Sequence, residues 1–435
     1  MDTSESTTGS GTASESEAPD GDRSVRAGWR RWAMDTRPLR RPAFRRLWSS
    51  TIVTPVGSQL TAVAVPKQIY DITDSSAWVG YASLAGLLPL AVFALWGGAI
   101  ADRMDRRKLL LLTNAGLAVT SVLFWVQALV GLDSVLVLIV LLALQQAFFG
   151  LNSPARSASI ARLVPPEELP AANALGSTVM QTGLVAGPLL AGTLIPVIGL
   201  SALYLIDALA LCVTVWAVFR LPALPPTAAA VGRAGWQAIA EGFRYIALHK
   251  VLLLSFVADI IAMVFGMPRA LFPQLAAQTY ASYGEGLALG LLFAAIPIGA
   301  VLGGLLSGTF SRARRHGLMV IAAVIAWGAA ITGLGLTSSL WVAVAFLAAA
   351  GVADMVSMVF RGAILLSAAT DEMRGRMQGV FTVVVAGGPR LADVLHGTAG
   401  SALGTRTAIA GGGLLVIAAT LVLAMVTPAL REYRI

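Results

Sequence analysis

PLAVFALWGGAIADRMDRRK, residues 89–108, runs from an apolar stretch through a glycine pair into a knot of arginines. The chain writes the pattern again as PIGAVLGGLLSGTFSRARR, residues 297–315. Pro89, Gly97, Gly98, Arg106 and Arg107 have counterparts in Pro297, Gly303, Gly304, Arg314 and Arg315, at an offset of about 205 residues. Arg156 is matched by Arg361 at the same offset. An apolar run ending on fixed positive charge reads as a helix leaving a membrane on its cytoplasmic side. Two copies that leave on the same side require an even number of spans in each half. That is the parallel kind of repeat, with its axis along the membrane normal.

Working outward, the composition agrees. The 435 residues are 57% hydrophobic and 12% charged, with a mean hydropathy of +0.76. A soluble fold of this length could not hide so much apolar surface. A spanning helix needs roughly 20 mostly apolar residues. Twelve such stretches are predicted near 48–70, 76–100, 108–130, 134–156, 171–196, 200–220, 251–275, 286–310, 317–337, 340–361, 377–402 and 406–428. Prolines within them, such as Pro55, Pro89, Pro188 and Pro297, are tolerated because neighbouring groups re-satisfy the backbone.

Nine arginines, from Arg23 to Arg46, precede the first stretch, and most of the other basic residues fall in even-numbered connections. Lys67, Arg269, Arg390 and Arg406 stand apart. Both termini are therefore expected in the cytoplasm of a bacterium, the chain crossing its inner membrane many times. The net charge of +8 then needs no nucleic acid; topology and anionic headgroups account for it.

The expected organisation is a disordered tail at 1–22 with no signal peptide, a basic interfacial segment at 23–47 and a six-helix bundle at 48–220. A linker at 221–250 follows, with Trp236, Ile239, Phe243 and Ile246 at the spacing of a surface helix. A second six-helix bundle at 251–428 and a cytoplasmic end at 429–435 complete the chain. Cys212 reads as a small core residue and excludes a disulfide. His249, His316 and His396 do not sit at metal-ligand spacing, so neither a metal site nor a cofactor is expected.

With these residues in place, the chain resembles the major facilitator superfamily over nearly its whole length. Gly98, Asp102, Arg103, Arg106 and Arg107 are similar to that superfamily's signature after span two, with Asp105 where many members have glycine, which predicts a differently capped turn. The resemblance implies a latch between the halves at their cytoplasmic edge. Gly183, Gly187, Pro188 and Gly192 in span five resemble the motif of antiporters, with Ala191 replacing a glycine. Val63 to Pro66, Ala101 to Arg103 and Leu292 to Ala300 look like the enterobactin exporter group. The function implied is proton-coupled antiport of a siderophore by a monomer; the alternative is efflux of macrolide- or tetracycline-type drugs.

An ionisable group at bilayer depth costs about 2.5 to 3.5 kcal/mol on insertion scales and is a functional candidate for that reason. Asp207 falls in span six, Asp259 in span seven, Asp354 in span ten, and Arg390, Asp393 and His396 in span eleven. The last three recur every third residue, about 60° apart, and are expected along one side of a helix. Arg390 and Asp393 can pair there, and an anion competing for Arg390 would free Asp393 for a proton. A static pair that orients the helix is the alternative. Asp354, Asp259 and His396 are further proton candidates, Asp207 reads as structural, and Arg269 as reaching the interface. Gln59, Gln145, Gln146, Asn152 and Gln181 are candidates for substrate contact or for bonds between helices. None of Lys67, Lys108 and Lys250 lies in a phosphate-cradling loop, so an ATP-driven pump is not expected. Neither a nucleophile with its base nor a metal triad marks a membrane enzyme.

Overall fold

The computed structural model describes residues 35–225, 236–310, 312–368 and 371–431 with Tyr433, and leaves out the surroundings of some residues among them, including Gly98, Asp102 and most of 371–383. The expected tail at 1–22, residues 23–34 of the expected segment at 23–47, and the roles of Gly98 and Asp102 lie outside the described residues.

The described chain is helical. The helices are α1 (Pro42–Thr73), α2 (Ser76–Arg103), α3 (Arg106–Leu129), α4 (Val135–Leu163), α5 (Leu169–Phe219), α6 (Trp236–Leu248), α7 (Lys250–Gly266), α8 (Glu285–Leu305), α9 (His316–Leu336), α10 (Leu340–Ala368), α11 (Asp371–Leu403) and α12 (Thr405–Val426). Nine candidate spans are long and apolar enough to cross a membrane among the described residues. Large side chains point outward at a density water would not tolerate: Leu136 is 71% exposed, Leu305 77% and Met425 73%. Lipid is the solvent for such a surface.

Helix limits differ from expectation beside two prolines. The helix expected from 48 starts at Pro42, because proline at the first helical position loses no bond and has its φ preset. It therefore absorbs the end of the interfacial segment. The division expected between the spans at 171–196 and 200–220 is present at Gly199, whose φ of 75° reverses the chain within the 51-residue run of α5; its two limbs, 169–198 and 200–219, are antiparallel. The helix expected over 251–275 stops at Gly266, before Pro268, and short turns and a π-turn at Leu275–Thr279 carry the chain to α8. Cys212 is exposed on the outer face of α5 and is not a core residue.

Packing recurs between the halves. α2 lies on α4 as α8 lies on α10, and α3 lies on α4 and the second limb of α5 as α9 lies on α10 and α12. Across the halves, α2 packs on α11 and the first limb of α5 on α8. Glycine sets the second approach: a Cβ on Gly290 would stand 2.7 Å from the Pro188 carbonyl and 2.9 Å from the Gly192 Cα.

The polar bonds that join the halves, among the described residues, run from mid-depth to the end away from the termini, here the distal end. They are Gln146 with Arg390, Ser83 with Asp393, Ser76 with Gln274, Ser75 with Ser401, Tyr70 with Gln278, and Lys67 with Glu285. Nearer the termini, polar side chains stand exposed: Ser58 on α1, Ser153 on α4, and Ser177, Thr178, Gln181 and Thr182 on α5. Hydroxyls and amides do not gather on lipid-facing stripes. These strips line an opening between the halves, closed at its distal end.

Candidate functional site

α11 carries its ionisable groups to different places. The Nη2 of Arg390 donates to Gln146 Oε1 on α4 at 3.0 Å. Ser83 Oγ on α2 donates to Asp393 Oδ2 at 2.6 Å. Arg390 and Asp393 thus each bond to the first half, and the expected ion pair between them does not form. His396 is buried in the second half, with Nε2 3.0 Å from the Phe265 carbonyl. The physical reason is angular. Each three-residue step turns the helix back about 60°, so the third member lies about 120° from the first and faces another neighbour.

Asp259 and Asp354 share a partner that the sequence reading assigned only to topology. Arg361 pairs with Asp259 through Nη1, and its Nη2 lies 3.8 Å from Asp354 Oδ1. Asp259 and Arg361 are both buried, while the Asp354 side chain is 43% exposed. A cavity of about 170 Å³ adjoins the pair, lined by Ser255, Phe256, Met358 and Leu365. A narrower space of about 30 Å³ beside Asp354 reaches Met263, Met267 and Trp327. The legible signal was the seven-residue spacing of Asp354 and Arg361, which puts them two turns apart on one face.

In the first half Asp207 is fully buried and accepts from Thr61 and Ser121, each at 2.8 Å. Gln145 donates to Ser121 at 3.4 Å and Asn152 to Thr113 at 2.7 Å, so both serve contacts inside their own half. Gln59 packs against Gly187, and Gln181 is exposed. Arg156 on α4 donates to Thr51 on α1.

At the distal end Lys67, unassigned by the sequence reading, reaches Glu285 of α8 at 2.6 Å and Asp71 at 2.8 Å. Beside it Gln68, Gln127 and Tyr204 form a buried network. Gln68, Asp71, Asp133 and Ser201 line an open cavity of about 490 Å³ there.

At the terminal end Asp105 caps α3, accepting from the Arg107 backbone N–H at 2.8 Å, which is the different capping expected of it. Arg106 donates to the Ala158 carbonyl at 3.2 Å, and Arg107 to that of Phe219. Arg103 is exposed. In this state Arg106 and Arg107 make these bonds within the first half. Of the span-five motif, Gly183 meets Pro55 and Gly187 meets Gln59 on α1, while Gly192 and Pro188 meet α8. Outside the membrane, Arg41 holds the Glu168 carboxyl below its ordinary value through a bond of 3.0 Å.

Known proteins align along this whole arrangement. The family described as transmembrane secretion effector, of the major facilitator type, matches residues 33–433. An enterobactin exporter of Shigella boydii serotype 18 is 30% identical over 397 residues, covering 90% of this chain and 94% of that protein. An enterobactin exporter of Citrobacter koseri is 29% identical over 398 residues, with the same coverage. Among solved structures, the nucleoside transporter NupG superposes with a TM-score of 0.70 at 14% identity, over 90% of this chain and 100% of its own. A bacterial homolog of the human lysosomal transporter Spinster, inward-facing and unoccupied, superposes with a TM-score of 0.67 at 17% identity, over 92% and 97%.

Proposed function

The chain belongs to the transmembrane secretion effector family of the major facilitator superfamily, and from that premise we propose that it exports an anionic siderophore, of the enterobactin kind, in exchange for protons. It is a multi-pass membrane transporter of small molecules and not an enzyme. On this reading twelve helices cross the inner membrane as two six-helix bundles, both termini are cytoplasmic, and the monomer is the working unit. The count is reached by dividing α5 at Gly199 and adding α1 and α11, whose polar residues lower their hydropathy.

The observation that carries the reading is the bonding of Arg390 and Asp393 across the halves at mid-depth, at the closed end of the opening. A substrate anion that takes Arg390 from Gln146 loosens one contact of the closed state. A proton on Asp393, in exchange for the bond from Ser83, loosens another. Binding energy on the cytoplasmic side is thereby converted into a change of access, which is what alternating access requires. The latch at Asp102, Arg103, Arg106 and Arg107 would engage as the opening closes at the terminal end. Drug efflux is the second reading considered. Lipophilic cations would favour free membrane carboxylates, and Arg361 is the partner of both Asp259 and Asp354.

Mass spectrometry of the culture medium from a deletion strain under iron limitation tests this. Loss of secreted siderophore is expected. Unchanged siderophore with raised drug sensitivity overturns the proposal in favour of drug efflux.

A further inference from the structure

The two halves repeat an arginine within the membrane span but not its counter-charges. In the second half Arg361 has Asp259 on α7 and Asp354, two turns earlier on α10. Arg156 holds the matching place on α4, and the frame offset of about 205 residues puts Thr54 and Phe149 where the second half has those acids. Among the described residues no carboxylate lies within 4 Å of Arg156. Its hydrogen bond goes to Thr51, whose hydroxyl in turn donates to the Leu47 carbonyl at 2.9 Å.

Arg156 lies seven residues before the end of α4, about 10 Å along the axis from its terminal end. It is half-buried, and it shares a stripe with Gln146, Phe149 and Ser153, the stripe whose upper end touches Arg390. An arginine keeps its charge at any physiological pH and carries five N–H donors in a planar fork. Bonding Thr51 uses Nη2 and leaves the N–H groups of Nε and Nη1 to donate elsewhere. A cation at this depth is costly without an anion, and the described residues that supply two anions to Arg361 supply none to Arg156.

We propose that Arg156 is an anion-binding residue of the transport path, taking adjacent oxygens of a catecholate or carboxylate near the mouth of the opening, one step before Arg390. The proposal deepens the siderophore reading and rests on it for the identity of the anion. Two adjacent oxygens match the guanidinium edge in a bidentate pair, which a lysine ammonium does not reproduce. Ser153, one turn away on α4, and Thr51 offer polar contacts beside it. The substrate would pass from Arg156 to Arg390 along a single face of α4.

The test uses the full-length protein purified in detergent, with three probes: iron-free enterobactin, carboxyfluorescein as a generic anion, and ethidium as a cation. Wild type, Arg156→Gln, Arg156→Lys, Arg390→Gln and Phe149→Asp are compared after each elutes as a single species by size exclusion. Phe149→Asp installs at an exposed position the acid that its counterpart Asp354 supplies to Arg361. The result expected is at least tenfold weaker anion binding in Arg156→Gln and in Phe149→Asp, a smaller loss in Arg156→Lys, and ethidium binding unchanged. A residue that merely braces α1 against α4 would not separate anions from the cation. Wild-type anion affinity in both Arg156→Gln and Phe149→Asp, with loss only in Arg390→Gln, overturns the role of Arg156 and leaves the exporter reading standing. Arg156-dependent binding of carboxyfluorescein without any binding of enterobactin overturns the siderophore reading and sustains the anion site. Wild type that binds neither anion overturns both.

Discussion

Replacing Glu285 with Gln removes one contact that exists only while the distal end is closed. Lys67 Nζ lies 2.6 Å from Glu285 Oε1, and the lysine side chain is 9% exposed against 38% for the glutamate. Breaking a fully buried pair costs about 3 to 5 kcal/mol. Here Glu285 is partly solvated, and Lys67 retains Asp71 at 2.8 Å, so the loss falls to about 1 to 2 kcal/mol. All of it is taken from the distal-closed state, because the two partners sit in different halves. The ratio of distal-open to distal-closed molecules should therefore rise about five- to thirtyfold. Cys212 is the single cysteine, so a Cys212→Ala background accepts spin labels at Asp133 and Ser282, both exposed on distal connections in opposite halves. Double electron–electron resonance then reads the two populations directly. A ratio that stays within twofold of the parent, in a variant that elutes normally, refutes the idea that this ion pair holds the halves together.

Other perturbations bear on separate parts of the structure. Gly290→Leu places a side chain where a Cβ alone would meet the Pro188 carbonyl at 2.7 Å; the same labels should report loss of the distal-closed population, with transport in inverted vesicles falling at least tenfold. Asp393→Asn should abolish proton-driven export while leaving substrate binding measurable; normal transport by this variant together with failure of Asp354→Asn moves the proton carrier to α10. Arg361→Gln leaves Asp259 buried without its cation and should destabilise the fold by about 3 to 5 kcal/mol. Adding Asp259→Asn should restore much of the melting temperature, and a double variant no more stable than the single one contradicts the pairing.

How much of this was legible without coordinates depends on the distance over which each feature is decided. Composition, the arginine knots and the repeat of 89–108 at 297–315 are properties of the chain read locally, and they place the helices to within a few residues. The larger misses are at Pro42 and before Pro268, where a backbone restriction acts on one or two residues, and at the ends of α4 and α10, which run on past 156 and 361 to Leu163 and Ala368. The repeat also lets Arg156 and Arg361 be equated by counting alone.

The partners of the intramembrane charges are another matter. In a helix the residue three places on faces about 60° away, so whether Arg390 meets Asp393 or Gln146 depends on which helix stands beside α11 and at what height. Sequence spacing proposed the ion pair, and the approach of α2 and α4 decided against it. Arg361 looked like a topological marker because it lies near a helix end, yet the packing of α7 on α10 makes it a buried counter-ion. Lys67, Glu285 and Ser83 carried no signal at all, since their roles arise only where two halves of the chain, far apart in sequence, are pressed together. The sequence by itself determined that this is a membrane-embedded helical repeat with costly charges in its second half. Tertiary structure alone decided which of those charges are answered, because in a low-dielectric medium a contact of a few ångströms outweighs everything that residue identity can say.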